Sequence, residues 1–496
     1  MAAMPLHTLK LKGDIKGMIE GMRMFCTLPC GAPGILHSEC KIQCAACQTL
    51  ADLACERIHS AKIADEGGIE SIVAAMRGHK HRDVQLQALR ALGNLAVHGD
   101  KCQDQIGGQG GIESVVEALR GHAGDSEVQL QGLRALGNLA YSHAANSVKI
   151  AAAGGIPAAL HAMAAHGDDQ GVQMQGCGSL VNLTANNEDN KAAITVAGGV
   201  AAVLLCFDRH SQHLKVAESA CRCLSNLGYS DTARDAIVAA GGAQRVVSVM
   251  RHHKAEQGLQ TLACGVLSNL AHTNDGYLAH IKATGAVHRA MRLADQGAVK
   301  RIIVAMEMFP DDAEIQVRAS WALRKLAEAD ENRVKIAKDG GIEALLNAMR
   351  KHRSNFEVQI KAVFALRILA ESSFNQVKIM VAGGMELILA AMDRPGANYQ
   401  MNEVSCLALH SLVNGREVAV KRLKRAGAMD RIKRLCDSAP TEDLARYSRQ
   451  LVQVLEATGD ETGHDQDKSS LSPERGATKK KSEKDKPKTK PKVKGV

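Results

Sequence analysis

The sequence repeats itself every 43 or 44 residues, and that period limits the folds open to it. A phrase ending in Asn-Leu recurs at Arg90–Ala96, Arg134–Ala140, Gly178–Thr184, Arg222–Gly228 and Gly265–Ala271. Its asparagines are Asn94, Asn138, Asn182, Asn226 and Asn269. Later copies carry Lys325, Ile368 and Asn414 in the same slot, and an earlier copy carries Asp52. A degenerate unit from Gly427 to Leu455 is placed to close the end. A unit this short cannot bury an apolar face alone, so stacked neighbours must supply a continuous core.

Each unit reads as three helices. The first is short and carries an apolar residue four positions before a glycine: Ile63, Ile106, Ile150, Ile194, Ile237, Ile281, Ile336 and Ile379. In most units a glycine pair follows, as in Gly67-Gly68 and Gly383-Gly384, and permits a sharp turn. In the second helix Ile69, Ile72, Val73 and Met76 fall at i, i+3, i+4 and i+7, one apolar face. A polar loop offers Asp83, Ser126, Asp169, Asp312 or Asn355 to cap the third helix. The third is longest, with Val84, Ala88, Leu92, Leu95 and Ala96 as its buried stripe. No unit alternates like a strand. The expectation is an all-α, right-handed α-solenoid of nine to ten three-helix repeats.

Two irregularities divide the array. Asn269 to Lys325 exceeds the period by a dozen residues, in a stretch where Gly285-Ala286-Val287 and Gly297-Ala298-Val299 both read as helix starts. The first unit has a comparable excess in its Cys26–Cys40 loop. The expected organisation is an N-terminal segment (1–13), an N-terminal sub-array (14–284), an irregular insertion or joint (285–296), a C-terminal sub-array with a degenerate cap (297–457) and a disordered Lys-rich tail (458–496).

The combination of Gly-Gly-Ile, Val-Gln-x-Gln and Ala-Leu-x-Asn-Leu-Ala at this period resembles the armadillo-repeat family over about nine-tenths of the chain. The phrasing is similar to vacuolar-protein-8-like and protist armadillo arrays, and more distantly to importin-α and β-catenin. The resemblance implies an armadillo superhelix whose third helices line a concave groove, and no catalysis. In importin-α-like members a Trp and an Asn one turn apart recur; the Asn holds a peptide backbone and the Trp rows receive Lys stems. Here the Asn position is Asn94, Asn138, Asn182, Asn226, Asn269 and Asn414. Four residues earlier stand Arg90, Arg134, Gly178, Arg222, Gly265 and His410; only Trp321 matches, and its partner is Lys325. The aromatic half of that motif is therefore mostly lost. Arg90, Arg134 and Arg222 would instead project into the groove, and arginine forks pair with carboxylates. The expected site is a peptide-binding groove for extended, acidic segments, as in β-catenin-type grooves. The alternative is that each Asn bonds a neighbouring helix end and each Arg an adjacent acid. Trp321 and Phe364, equivalent in neighbouring units, form either an apolar pocket or ordinary core.

No phosphate loop, His-Glu-x-x-His or Gly-x-Ser-x-Gly occurs, so the expectation is a non-enzyme with no cofactor and no small-molecule substrate. No apolar run is long enough to span a bilayer. Aromatics are 2% of residues, too few for a base-stacking platform. The start of the sequence lacks a signal-peptide core, so the 14 cysteines read as reduced thiols. Cys40, Cys44 and Cys47 occupy i, i+4 and i+7 of a helix, which favours packing over zinc; no metal is expected. His79, His122, His166, His210, His252 and His352 follow the second helices, where each is placed to bond the last carbonyls.

The net charge is +9, but residues 475–496 alone hold +8. Basicity therefore belongs to the tail, including Lys479, Lys480 and Lys481, while the array is near neutral. Nucleic acid or a membrane surface is expected as a partner only through that tail. The functional expectation is a protein-interaction scaffold in the cytoplasm, with the nucleus as a second compartment. The alternatives are an importin-α-like transport adaptor and a nucleic-acid-associated protein acting through the tail.

Overall fold

A computed structural model describes residues 14–26, 35–272, 279–393 and 398–457. Within them the chain is an all-α, right-handed solenoid of ten stacked units. The N-terminal segment 1–13 and the tail 458–496, with Lys479, Lys480 and Lys481, lie outside the described residues. So does most of the Cys26–Cys40 loop. Units two to ten each show three helices, for example Arg57–Asp65, Gly68–Gly78 and Arg82–Leu95. The first unit shows two, Ile15–Cys26 and Ile35–Leu53.

The turn between first and second helices is fixed by two adjacent residues with different duties. The first glycine is left-handed in every unit from the second on, with φ of +79° at Gly67 and +94° at Gly340. The second is glycine for lack of space. A Cβ at Gly68 or Gly384 would come within 2.5 Å of the Cγ2 of Ile63 or Ile379. Seven units pair a β-branched Ile with Gly-Gly. The two units with Gly-Ala, Gly297-Ala298 and Gly427-Ala428, carry Leu293 and Leu423 in the isoleucine slot. Leucine has no Cγ2, so the methyl of alanine fits.

The third helices pack on one another down the array, and the second helices form a separate layer. The stripes expected from the sequence are buried: Ile69, Ile72, Val73, Met76, Val84, Ala88, Leu92 and Leu95 are all at or below 2% exposure. Fully burying the Ile, Val, Met and Leu side chains among them is worth roughly 1.5–3 kcal/mol each. Third helices approach closely where small residues meet: a Cβ on Gly137 would lie 3.3 Å from the Cα of Ser179. Close spacing in this layer puts it on the inside of the curve.

Two ladders brace the array, one inside each unit and one between units. The Gln of Val-Gln donates Nε2 to two carbonyls ending its own second helix, as Gln85 does to Met76 and His79 (2.7 Å each). Gln129, Gln173, Gln260, Gln316 and Gln359 repeat this. The histidines do something other than expected. His166, His210 and His352 reach 2.8 Å from the carbonyls of Ala123, Gly167 and Pro310, in the loop one unit back, not their own helix. In the sixth unit His253, not His252, does so. The caps also shift in two units. Asp169, Asp312 and Asn355 cap as expected. His81 and Asp125 act where Asp83 and Ser126 were expected.

The stretch 285–296 falls mostly inside one helix, Ala279–Asp295, seventeen residues long against nine for the first helix of other units. Gly285 is therefore not a turn glycine; the unit turns at Gly297, φ +88°, with Leu293 taking the place that the sequence pattern gave to Ile281. Third helices stack directly across this point, Gln257–Leu270 on Ala313–Leu326. The tenth unit closes the end. Helix Glu442–Ala457 buries Leu444, Leu451 and Leu455 and leaves Arg446, Arg449 and Gln450 outward. A polar outer face is what a terminal repeat needs.

Candidate interaction groove

The inner face is a set of columns, one per third helix. In the N-terminal half each column presents the ladder Asn and the residue one turn before it. The Asn side chains bond the preceding unit: Asn138 Nδ2 donates to Gly93 O (2.8 Å), Asn182 to Gly137 O (2.8 Å) and Asn226 to Val181 O (3.1 Å). Asn94 bonds Ala51 O (2.8 Å) and Asn269 bonds Ser225 O (3.0 Å). The acceptor in these cases is a helical carbonyl near the end of the previous third helix, where ordinary partners run out. The amide nitrogen thus ties units together, and the Oδ1 of Asn138, Asn182, Asn226 and Asn269 makes no hydrogen bond among the described residues. Asn94 differs: its Oδ1 accepts from Arg134 Nη2 (3.0 Å).

The arginine row is partly engaged. Arg90 pairs with Asp52 one unit back (3.0 Å), and Arg134 leans on Asn94 in the same way. Arg222 is exposed and makes no ion pair among the described residues. The two glycines in this row have different surroundings. At Gly178 an added Cβ would meet nothing within 4 Å, so the slot is open groove. At Gly265 it would meet Arg318 Nη1 at 2.7 Å. The guanidinium of the next unit fills that slot.

In the C-terminal half the columns change chemistry. Asn414 is an exposed residue following helix Tyr399–Val413 and joins no ladder bond among the described residues. Lys325 is fully buried, so its ammonium is not offered to the groove as a free charge. Trp321 and Phe364 are brought together, edge to face, with centroids 6.0 Å apart. The sequence reading missed the cations around them. Arg324 lies 4.6 Å from the indole centroid, Lys361 4.5 Å and Lys325 5.5 Å. Arg324 also lies 5.8 Å from the Phe364 ring. The signal was available: Arg324 follows Trp321 by three residues and Lys361 precedes Phe364 by three, spacings that face one another on helices.

The groove thiols among the described residues are not activated. Burial pushes the Cys221 and Cys264 thiols up to about 12, which keeps them protonated and poor as nucleophiles or metal ligands. Cys44 is also raised, by burial and then by Asp83 and Cys40. Cys40 and Cys44 meet His79 and the Asp83 carbonyl (3.7 Å each), and no metal-binding group of three occurs among the described residues. Among those residues no single helix is long and apolar enough to cross a membrane.

Fold and groove together define a class, the α-solenoid of three-helix repeats with a continuous inner face. A family described as LRRK2 ARM repeat matches residues 101–284 and 277–420. The chain belongs to the armadillo-repeat family. It is similar to the crystal structure of an engineered protein from the Northeast Structural Genomics Consortium, with TM-score 0.76 and 25% identity. That match covers 90% of this chain and 100% of the other. It is also similar in fold to a chain from a study of a phosphorylation switch in the cadherin–β-catenin interaction, with TM-score 0.70 and 13% identity, covering 90% and 86%. No curated protein matches by sequence. The matching family is a repeat family and not a catalytic one.

Proposed function

We propose that this chain is a non-enzymatic scaffold that holds extended segments of partner proteins along its concave groove. The observation that carries the reading is the row of outward-facing amide oxygens on Asn138, Asn182, Asn226 and Asn269, with Arg222 unpaired beside them. A polypeptide in extended form has donors at intervals that such a row can meet without secondary structure in the ligand. The amide nitrogens are already committed to the preceding units, so the groove offers acceptors and isolated cations, not a full amide per unit. That favours acidic segments, steered by Arg222 in the N-terminal half and by the cations around Trp321 in the C-terminal half.

The importin-α-like alternative needs open aromatic faces for lysine stems. Trp321 is the only tryptophan and already has three of the chain's own cations within 5.5 Å. This weighs against a basic cargo. We place the protein in the cytoplasm, with nuclear entry and any nucleic-acid or membrane contact assigned to the tail around Lys479–Lys481. The test uses Gly178, where a side chain meets open space. Gly178→Glu adds negative charge to the groove without crowding the fold. Partners recovered with the wild-type chain should be lost with this variant while the melting temperature holds. Unchanged partners at unchanged stability would refute the groove reading.

A further inference from the structure

The inner face changes character at the seventh unit. Its third helix and the next carry cations at matching positions: Arg318 and Lys361, then Arg324 and Arg367. Between them stand Trp321 and Phe364. The nearest carboxylates answer this charge incompletely. Glu328 is 3.6 Å from Arg324 and Glu357 is 3.6 Å from Lys361, both beyond hydrogen-bond range. Arg318 is satisfied by Glu314 at 2.6 Å. Arg367 makes no ion pair among the described residues. Arg324 is held by ring faces instead: its Nε and Nη1 are sealed from solvent without a hydrogen-bond partner, and its side chain is 14% exposed. A guanidinium held on π faces keeps its positive field, because a ring quadrupole attracts the cation without neutralising it.

We propose that the Trp321–Phe364 cluster is an oxyanion subsite, taking the dianionic side chain of a phosphorylated residue in an extended partner segment. The inference rests on the groove being a peptide surface, and adds the chemical class of ligand and its place. A single carboxylate matches one cation. A phosphoryl group brings up to two charges and three acceptor oxygens, which suits the partly exposed Lys361 as donor over the positive field of the sealed Arg324, with Arg367 three residues beyond Phe364 on the same helix. Lysine and arginine side chains are rejected, because the ring faces they would use are covered by the chain's own cations. Single-stranded nucleic acid fits less well. It needs successive open rings, and here two rings stand edge to face under cations.

Trp321 reports on this site alone, being the only tryptophan in the sequence. The experiment titrates the full chain with fluorescein-labelled, 15-residue degenerate peptides whose central residue is phosphoserine, serine or lysine. Peptide anisotropy and tryptophan emission are followed together. A dT15 oligonucleotide serves as competitor. The phosphoserine set should bind at least tenfold tighter than the serine set, change Trp321 emission saturably, and lose that preference in Lys361→Glu. Lys361→Met stands in if the reversal fails to fold. Lys254→Glu, on an exposed loop, should leave the phosphoserine-to-serine ratio unchanged. Equal affinity for the three sets with silent emission would overturn the oxyanion subsite and leave the groove reading intact. Stronger binding of dT15 than of the phosphopeptide would also overturn it, in favour of nucleic acid. No binding by any peptide would remove the groove reading and this inference together.

Discussion

The two halves of the array share a frame and differ in what they show the groove. Both turn on the same glycine, and the Val-Gln staple recurs on either side of the junction, at Gln85 and at Gln359. In the N-terminal half the slot one residue before the next leucine is an asparagine that stitches units together, five times in succession. In the C-terminal half that slot holds a buried Lys325, then Ile368, then an exposed Asn414 outside any ladder. The neighbouring row changes from arginine and glycine to Trp321 and Phe364. The lesson is that an inner-face position can be released from structural duty, because the glutamine staple still holds each unit and the apolar core still holds the stack. Once released, it can carry a different surface chemistry.

If the frame is common, damage to it should cost the same in both halves. Gly68→Ala and Gly384→Ala each force a methyl onto an isoleucine Cγ2, and each should destabilise by about 1–3 kcal/mol, read from denaturant midpoints. Ile63→Leu and Ile379→Leu should restore most of the loss in the double variants, as Leu293 and Leu423 do naturally. Unequal costs, or no rescue, would break the common frame.

The ladder should matter in one half only. Asn182→Ala leaves the Gly137 carbonyl without its donor and should cost about 1–2 kcal/mol. Asn414→Ala, at an exposed helix end, should fall within about 0.5 kcal/mol of the parent. A smaller effect of opposite sign is expected at the open slot. Gly178→Arg continues the arginine row and replaces a mid-helix glycine, so stability should rise by about 0.5 kcal/mol in the same melts.

The smallest effect is a pH dependence from one histidine of the C-terminal half. Burial lowers the His410 pKa from its ordinary value. The unfolded chain therefore takes up this proton before the folded one does. The stability tied to neutral His410 is complete above the unfolded value, about pH 6.5, and declines as pH falls through the lower folded value. A shallow acid loss of melting temperature in the wild type, reduced in His410→Gln, checks this. An identical profile in the variant would place the titration elsewhere.

The fold was legible in the sequence because its determinants are local. Ile63 and Gly68 meet within one turn, and the stripe from Val84 to Leu95 lies on one helix. The groove was legible only as a set of positions. That Asn138 and Asn182 bond the neighbouring helix end was one of two readings the sequence allowed, and the choice between them depends on groups 45 residues away, which no local pattern encodes. The same holds for Arg318 filling the Gly265 slot and for histidines reaching a loop one unit back. The recurring Gln85, Gln129 and Gln173 were visible as a motif, but their role needed the geometry of the second helix. The Gly285 start failed for a different reason: the long helix Ala279–Asp295 runs through a glycine that pattern alone reads as a stop.

One comparison decides whether partners are held on the inner face. Quantitative affinity purification would be run with the wild-type chain, Gly178→Glu, Lys361→Glu and the exposed loop variant Lys254→Glu, all at matched melting temperature. Loss of the same partners with both inner-face variants, and their retention with Lys254→Glu, is the predicted result. Retention of those partners by both inner-face variants would contradict it.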